Sequence, residues 1–286
     1  MSARPQDPPV NRPHSRPVKR TRRVTAPQIT ARKGGEPIVC LTAYDAPTAE
    51  IIDPHCDLIL VGDSVGMVVH GLPSTVGVTM DMMILHGQAV MRGSKTAMVV
   101  VDLPFGSYEG TPETAFASAS RVMMETSCQA VKIESGSYAA KTIAYLVERG
   151  IPVMSHVGLR PQSMHVLGGF RARGRDQKVA DEILCNAEAA ALAGSFAVVV
   201  EGVSAEIADR VTAAVEIPTI GIGASPDCDG QILVTPDMLG LFSRVPKFVH
   251  KFGNMREQID ASVGQYADEV KSRTFPRPEN LYVFKD

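Results

Sequence analysis

The stretch AVKIESG, residues 130–136, places two charges inside an apolar run. Its apolar residues suit a buried strand, whereas Lys132 and Glu134 stand two positions apart. Because side chains at i and i+2 of a strand point to the same side, both charges face one side and Ile133 faces the other. Buried charges are rare unless they are paired or bind a metal. This side is therefore either open to water or a functional site.

The same arrangement recurs along the chain from residue 37 onward. Short apolar runs alternate with longer runs that have helical spacing. The short runs are PIVCLTAY (37–44), LILVGDS (58–64), TAMVVVDL (96–103), AVKIES (130–135), IPVMSHVG (151–158), FAVVVEG (196–202) and IPTIGIGA (217–224), with a weaker eighth candidate in PKFVHKF (246–252). Continuous apolar runs are typical of parallel strands buried on both faces. The alternation predicts an α/β protein with a single (β/α)8 TIM barrel.

An open, doubly wound sheet is the structural alternative. The chain has no Gly-x-Gly-x-x-Gly motif after its first predicted strand, which argues against a dinucleotide-binding version of that fold.

The ends of the chain differ from its body. Residues 1–24 are rich in Pro and Arg and predict a disordered basic tail. A transit peptide is the alternative, but its amphipathic helix does not suit so many prolines. We predict a short N-terminal helix with Thr25 as its N-cap, a barrel catalytic domain over residues 25–275, and a C-terminal tail over residues 276–286.

Composition limits the class of partner. Hydrophobic residues make up 44% of the chain, enough for a large core, and the net charge is −2. This balance predicts no nucleic-acid partner and no anionic membrane partner. No apolar run reaches the roughly 18 residues of a membrane span, and no signal-peptide core precedes the barrel. Five scattered cysteines without a Cys-x-x-Cys pair predict reduced thiols and a cytoplasmic protein.

Polar residues appear where the predicted strands end. They are Asp63, Ser64, Asp102, Lys132, Glu134, His156 and Glu201. In a parallel barrel the carboxyl ends of all strands meet at one mouth, where active sites are built. A single acid at a strand end is often only a helix cap or a solvated loop residue. Four acids on four apolar strands favour a site.

The types of residue point to metal chemistry. Asp63, Asp102 and Glu134 follow three consecutive predicted strands, and carboxylates so close repel one another unless a cation intervenes. Oxygen ligands favour Mg²⁺ or Mn²⁺, in part through water. Glu201 is a candidate general base. Lys132 is a candidate for holding a substrate carboxylate, since its acidic neighbours do not suit a Schiff-base lysine.

Two further features are weaker. His156 is a candidate substrate contact, although the sequence does not fix the direction in which its side chain points. The connection VGLRPQSMHVLGGFRARGR, residues 157–175, is long enough for a lid over a site, or it is an ordinary surface loop.

A series of motifs resembles the ketopantoate (3-methyl-2-oxobutanoate) hydroxymethyltransferase family. In order, they are LTAYD, LVGDS with GMVVHG, VVDLPFGSY, VKIE, HVGL, PQS, LGGF, VVVEGV, IGIGA, DCDGQILV and PKFV. The resemblance extends from about residue 25 to about residue 275. It implies a (β/α)8 barrel that transfers a hydroxymethyl group from 5,10-methylenetetrahydrofolate to 3-methyl-2-oxobutanoate, in pantothenate and coenzyme A biosynthesis. The products would be 2-dehydropantoate and tetrahydrofolate, and the assembly a homodecamer of two pentameric rings.

The resemblance also implies roles for single residues. The Mg²⁺ positions of the family fall on Asp63, Asp102 and Glu134, and its catalytic base falls on Glu201. Its substrate-binding positions fall on Asp63, Ser64, Asp102 and Lys132. Three positions depart from the usual family residue, Ser135 and Ser225 in place of Gly and His165 in place of Asn. None is a metal or catalytic position, so the departures bear on the folate side and on rate.

The chemistry agrees with the residue types. A 2-oxo acid can chelate Mg²⁺ through its carboxylate and keto oxygens, which stabilises an enolate. Glu201 would remove the proton at C3, and the enolate would attack the one-carbon unit.

Other enolate-forming barrels, the phosphoenolpyruvate mutase and isocitrate lyase group, are the nearest alternative function. The Lys-x-x-Cys-Gly loop of those lyases does not occur in this sequence. A non-catalytic binding protein on a barrel scaffold is the other alternative, and the intact acid set disfavours it.

Overall fold

The computed structural model describes residues 22–169, 173–174 and 176–283. Eight parallel strands in these residues close into one barrel in chain order, with β8 paired to β1. The strands are β1 Ile38–Thr42, β2 Leu58–Val61, β3 Met98–Asp102, β4 Ala130–Glu134, β5 Val153–Gly158, β6 Ala197–Glu201, β7 Thr219–Ile222 and β8 Gly230–Leu233. This confirms the predicted TIM barrel.

Helices follow most of the strands and cover the barrel. They are α1 Ala26–Thr30, α2 Ala46–Ile52, α3 Val65–Val68, α4 Met80–Gly93, α5 Pro112–Thr126, α6 Ala140–Glu148, α7 Met164–Leu167, α8 Gln177–Leu192, α9 Ala205–Ala214, α10 Thr235–Met238 and α11 Met255–Lys271. The described helices are too short or too polar to cross a membrane. Side-chain caps fix several helix starts; the Thr111 hydroxyl, for example, accepts from the backbone N–H of Thr114 before α5.

The two faces of each strand belong to different cores. On β4, Val131 and Ile133 pack outward into the layer shared with α4, α5 and α6. Ala130 packs inward with Met98, Val100 and other strand residues inside the barrel. Lys132 and Glu134 share the parity of Ala130 and therefore point to the interior at the carboxyl end. The two charges of the opening stretch face a buried site and not water, since Lys132 is 6% and Glu134 3% exposed.

The eighth strand is not where the sequence pattern placed it. PKFVHKF (246–252) forms a turn and irregular structure, and β8 is Gly230–Leu233 instead. The connection between Ile222 and Gly230 contains no helix, so the regular spacing of strand and helix fails there. Glycine at 230 lets β8 approach β1, because a Cβ there would lie 2.5 Å from the carbonyl oxygen of Ile38.

Helix α1 confirms the predicted N-terminal helix and closes the lower end of the barrel. Its Ile29 is fully buried in the interior core, and the Thr30 hydroxyl donates to the carbonyl of Phe196 at 3.1 Å. The predicted tail lies, up to residue 21, outside the described residues, as do residues 284–286. The boundaries at 24 and 275 stay predictions.

Candidate active site

All the sequence-predicted site residues meet in one cavity of about 560 Å³ at the carboxyl end of the barrel. They are Asp63, Ser64, Asp102, Lys132, Glu134, His156 and Glu201. Lys132 and His156 lie within β4 and β5, and the others end a strand or follow one closely, so the barrel itself places the polar groups together. We call the four carboxylates, Asp63, Asp102, Glu134 and Glu201, the acid cluster.

The ends of β2 and β3 hold two carboxylates side by side. The backbone N–H of Asp63 donates to Asp102 Oδ2 at 3.0 Å. Burial and the nearby Asp102 raise the pKa of Asp63 to about 7. A carboxyl group with such a pKa is poised to exchange its proton for a metal ion near neutrality.

Lys132 is the cation of this site. Its register partner across the sheet is Asp102, and its Nζ lies 3.1 Å from Asp102 Oδ1. Burial alone would lower the pKa of Lys132, but Asp102, Asp63 and Glu134 outweigh burial and raise it. The lysine is therefore charged, in agreement with the expectation that it does not suit Schiff-base chemistry.

One carboxylate oxygen of Glu134 accepts a hydrogen bond, and the other has no partner within the described chain. Its Oε1 accepts from the backbone N–H of Gln162 at 3.0 Å, whereas buried Oε2 has no hydrogen-bond partner within the described chain. Burial, followed by the charge of Asp63, raises the pKa of Glu134. An unpartnered, buried carboxylate oxygen beside other carboxylates is the environment that a cation relieves.

His156 lies between the lysine and the acid of β6. Its Nδ1 is 3.4 Å from Lys132 Nζ, and its Nε2 is 3.1 Å from Glu201 Oε2. Because an ammonium can only donate, Nδ1 accepts and the ring proton sits on Nε2, toward Glu201. Burial, together with Lys132, lowers the pKa of His156. The ring is thus neutral, and its Nε2 lies close to Glu201, a contact that sequence reasoning did not assign.

Gln162 is a site residue that the sequence did not reveal. Its Nε2 donates to Asp63 Oδ2 at 2.8 Å and to the carbonyl of Leu103 at 3.0 Å. Its Oε1 accepts from the hydroxyl of Tyr108 at 2.6 Å, and that hydroxyl accepts from the backbone N–H of Glu134. One buried side chain therefore ties three strand ends together. The motif PQS was the available signal, but an uncharged amide in a long loop gave no reason to place it in a site.

The three positions that depart from the family pattern lie outside the cavity lining. Ser135 is buried and its hydroxyl donates to the carbonyl of His156 at 3.2 Å. Ser225 donates to Asp209, and His165 is exposed on α7.

The acid cluster fits a hard divalent ion held partly through water. No three acidic, histidine or cysteine side chains of the described ranges converge at direct metal-ligand distances. Mg²⁺ commonly takes only one or two carboxylates and completes its octahedron with water and substrate oxygens. The carboxylates of Asp63, Asp102 and Glu134, with the unpartnered oxygen of Glu134 among them, suit that kind of site.

The sequence of this chain is similar to those of known hydroxymethyltransferases. A family model described as ketopantoate hydroxymethyltransferase matches residues 23–278. A 3-methyl-2-oxobutanoate hydroxymethyltransferase from Phenylobacterium zucineum is 64% identical over 267 residues, which is 93% of this chain and 97% of that protein. The protein of that name from Maricaulis maris is 62% identical over 271 residues, 95% of this chain and 97% of that protein.

More distant solved structures share the barrel alone. The phosphoenolpyruvate phosphomutase from Streptomyces platensis subsp. rosaceus has a TM-score of 0.58 at 14% identity, covering 87% of this chain and 88% of that one. The structure of 2,3-dimethylmalate lyase, a member of the PEP mutase/isocitrate lyase superfamily, has a TM-score of 0.55 at 17% identity, with coverage of 89% and 90%.

Proposed function

This chain belongs to the ketopantoate hydroxymethyltransferase family, and from that premise we propose the donor, the metal and the residue roles of its reaction. Membership makes it a hydroxymethyltransferase of pantothenate synthesis that acts on 3-methyl-2-oxobutanoate. We propose that 5,10-methylenetetrahydrofolate donates the one-carbon unit and that Mg²⁺ is the metal. The products are then 2-dehydropantoate and tetrahydrofolate.

The unpartnered oxygen of Glu134 within the acid cluster is the observation that supports the metal. Asp63, Asp102 and Glu134 would hold Mg²⁺, directly or through water. A bound Mg²⁺ supplies Lewis acidity at the keto and carboxylate oxygens of the substrate. Among the described residues that line the cavity, Lys132 carries the positive charge. It offsets the negative charge of the keto acid.

Glu201 is the proposed general base. It is the most exposed member of the acid cluster, with 16% of its side chain accessible, and it lines the same cavity as Lys132. Its carboxylate takes the proton from C3 of the keto acid, and His156 Nε2, 3.1 Å from Glu201 Oε2, would orient it. Ser64, whose hydroxyl lies 2.8 Å from the hydroxyl of Tyr44, is held at the cavity wall to bind the substrate.

The proposed bond changes balance. Removal of the C3 proton leaves an enolate, and C3 then bonds to the methylene carbon of the donor. Both carbon–nitrogen bonds of that methylene break, and a water supplies the hydroxyl oxygen. The two nitrogens take up the proton removed from C3 and the second proton of the water, so the carrier leaves as tetrahydrofolate.

We also propose self-association, and a homodecamer in particular. Helix α11 buries none of its residues against the rest of the described chain. Ile259, Val263, Tyr266 and Val270 are 43–59% exposed, and their spacing of four, three and four residues places them on one face. An apolar face of this kind is typical of a contact between protein surfaces, and a second copy of the chain is the proposed occupant.

Proton exchange at C3 tests the proposed chemistry. Proton NMR of 3-methyl-2-oxobutanoate in D₂O would follow loss of the C3 signal with Mg²⁺, with EDTA, and with tetrahydrofolate added. We expect exchange that needs Mg²⁺ and that Glu201→Gln abolishes. Exchange that persists in EDTA would refute the metal role, and absence of exchange under every condition would refute the proposed enolisation.

A further inference from the structure

The cavity extends well beyond the acid cluster. At about 560 Å³ it falls in the range of roughly 300–1,000 Å³ of pockets that take drug-sized ligands. The small keto acid and a metal ion fill only the end formed by the acid cluster. The remainder is lined mainly by apolar side chains, among them Leu233, Val234, Phe242, Pro246 and Phe248.

Two polar groups that line the cavity, on Thr75 and Asp237, lack a hydrogen-bond partner within the described residues. The hydroxyl of Thr75 is buried and makes no hydrogen bond to any residue of the described chain. Asp237, on α10, also lines the cavity. No hydrogen bond within the described ranges reaches its carboxylate, and Lys251 acts on it only through space while donating instead to the carbonyls of Phe242 and Ser243.

An unpartnered carboxylate that lines the same cavity as two aromatic rings selects a particular kind of ligand. Asp237 is half-buried, and burial raises its pKa more than Lys251 lowers it, because no donor of the described chain reaches the charged form. A ligand that brings two adjacent N–H groups would supply such donors, as a bidentate pair. A flat ring attached to those donors would stack on or against the rings of Phe242 and Phe248.

The pterin of the one-carbon carrier has these features. It is a flat bicycle whose N3–H and 2-amino group form adjacent donors, and its nitrogen that carries the one-carbon unit lies at the opposite end. The other end of a folate carries carboxylates, which Asp237 would repel. We propose that Asp237 binds the N3–H and 2-amino edge of the pterin, with Phe242 and Phe248 against the ring.

This inference rests on the proposed function, since it locates the carrier that the proposed reaction uses. It explains why the apolar cavity is continuous with the acid cluster: the methylene group must reach C3 of the keto acid from the open side. It also gives a role to Pro246 and Phe248, which belong to the run 246–252 that the sequence pattern had suggested as a strand.

The test compares Asp237→Asn with Asp260→Asn. Asp260 is an exposed acid on α11 that does not line this cavity, so the control removes the same charge from the same part of the chain. Binding of tetrahydrofolate would be measured by calorimetry in the presence of Mg²⁺ and keto acid, and circular dichroism would check folding. We expect Asp237→Asn to weaken binding by ~10- to 100-fold, the usual consequence of losing hydrogen bonds to a charged group, and Asp260→Asn to change it little.

A second ligand makes the test specific to the pterin edge. The analogue of tetrahydrofolate without the 2-amino group should bind the native protein more weakly than tetrahydrofolate does, and this preference should disappear in Asp237→Asn. Equal binding of tetrahydrofolate by native protein and variant, or a preference that survives in the variant, would overturn the inference. If the native protein neither exchanges the C3 proton nor binds tetrahydrofolate, the proposed function itself falls, and the inference with it.

Discussion

The side-chain amide of Gln162 donates a 2.8 Å hydrogen bond to the carboxylate of Asp63, across the mouth of the barrel. The backbone N–H of the same residue donates to Glu134. The first turn of the connection after β5 is thereby attached to two proposed metal ligands. Gln162 is a positioning residue, since it acts through the carboxylates that it holds.

We predict that Gln162→Leu weakens Mg²⁺ binding by ~10- to 100-fold, as loss of groups that orient metal ligands typically does. The change leaves Asp63 Oδ2 and the carbonyl of Leu103 without donors, so the melting temperature should also fall. Calorimetric titration with Mg²⁺ and a thermal melt measure the two effects.

Gln88→Leu is the matched control, because it removes only a hydrogen bond to the carbonyl of Glu125 on the barrel surface. Metal affinity that is the same in native protein and Gln162→Leu would contradict the positioning role.

We predict that Glu201→Gln lowers turnover by at least ~100-fold, the usual contribution of a general base, while Mg²⁺ binding survives. The amide cannot take the C3 proton, but Asp63, Asp102 and Glu134 are unchanged. Steady-state kinetics and calorimetry separate the two results. Glu206→Gln, at an exposed position on α9, serves as control, and normal turnover in Glu201→Gln would remove Glu201 from the role of base.

We predict that Asp102→Ala weakens Mg²⁺ binding by at least ~10-fold, the smaller loss seen when a group around a metal is removed. Asp102 is 2% exposed, and its removal also takes away the ion pair of Lys132. Calorimetric titration with Mg²⁺ measures the effect. Asp81→Asn, a change at an exposed acid on α4, is the control. Unchanged affinity would exclude Asp102 from the ligand set.

The barrel and the composition of its mouth were predictable because they depend on local pattern. Lys132 and Glu134 follow Ala130 at a spacing of two, so strand geometry alone places them on the interior side. The same parity places Asp102 after Val100, and His156 after Met154. Continuous apolar strands with polar ends therefore carried most of the information about where the site lies.

Features that depend on tertiary contact were not predictable in the same way. Gln162 is important through hydrogen bonds to residues tens of positions away, and nothing in PQS marks those partners. His156 was assigned only a substrate contact, because its position between Lys132 and Glu201 depends on the register of β4, β5 and β6. The eighth strand was misplaced because a short, glycine-started run after a connection without a helix breaks the alternating pattern.

We predict that Val263→Asp with Tyr266→Asp reduces the size of the assembly in solution. These side chains are 59% and 57% exposed on α11, and a charge in an apolar contact is costly to bury. Light scattering coupled to size-exclusion chromatography measures the mass. Ala261→Asp, which puts a charge on the opposite side of the same helix at an exposed position, is the control, and an unchanged mass in the double variant would exclude this face from the contact.

The pKa of Asp63 makes metal stabilisation depend on pH. Burial and Asp102 raise that pKa from 3.8 to about 7, so between these values the folded protein binds a proton that the unfolded chain does not. The free energy of unfolding of the metal-free protein should therefore fall as pH rises across this window.

Mg²⁺ must displace the same proton from Asp63, so it should raise the melting temperature more at about pH 8 than at about pH 6. Thermal melts with Mg²⁺ and with EDTA measure the difference, and Asp63→Asn should flatten the metal-free profile. A Mg²⁺-induced shift that is equal at both pH values would contradict the assignment of Asp63 as the titrating ligand.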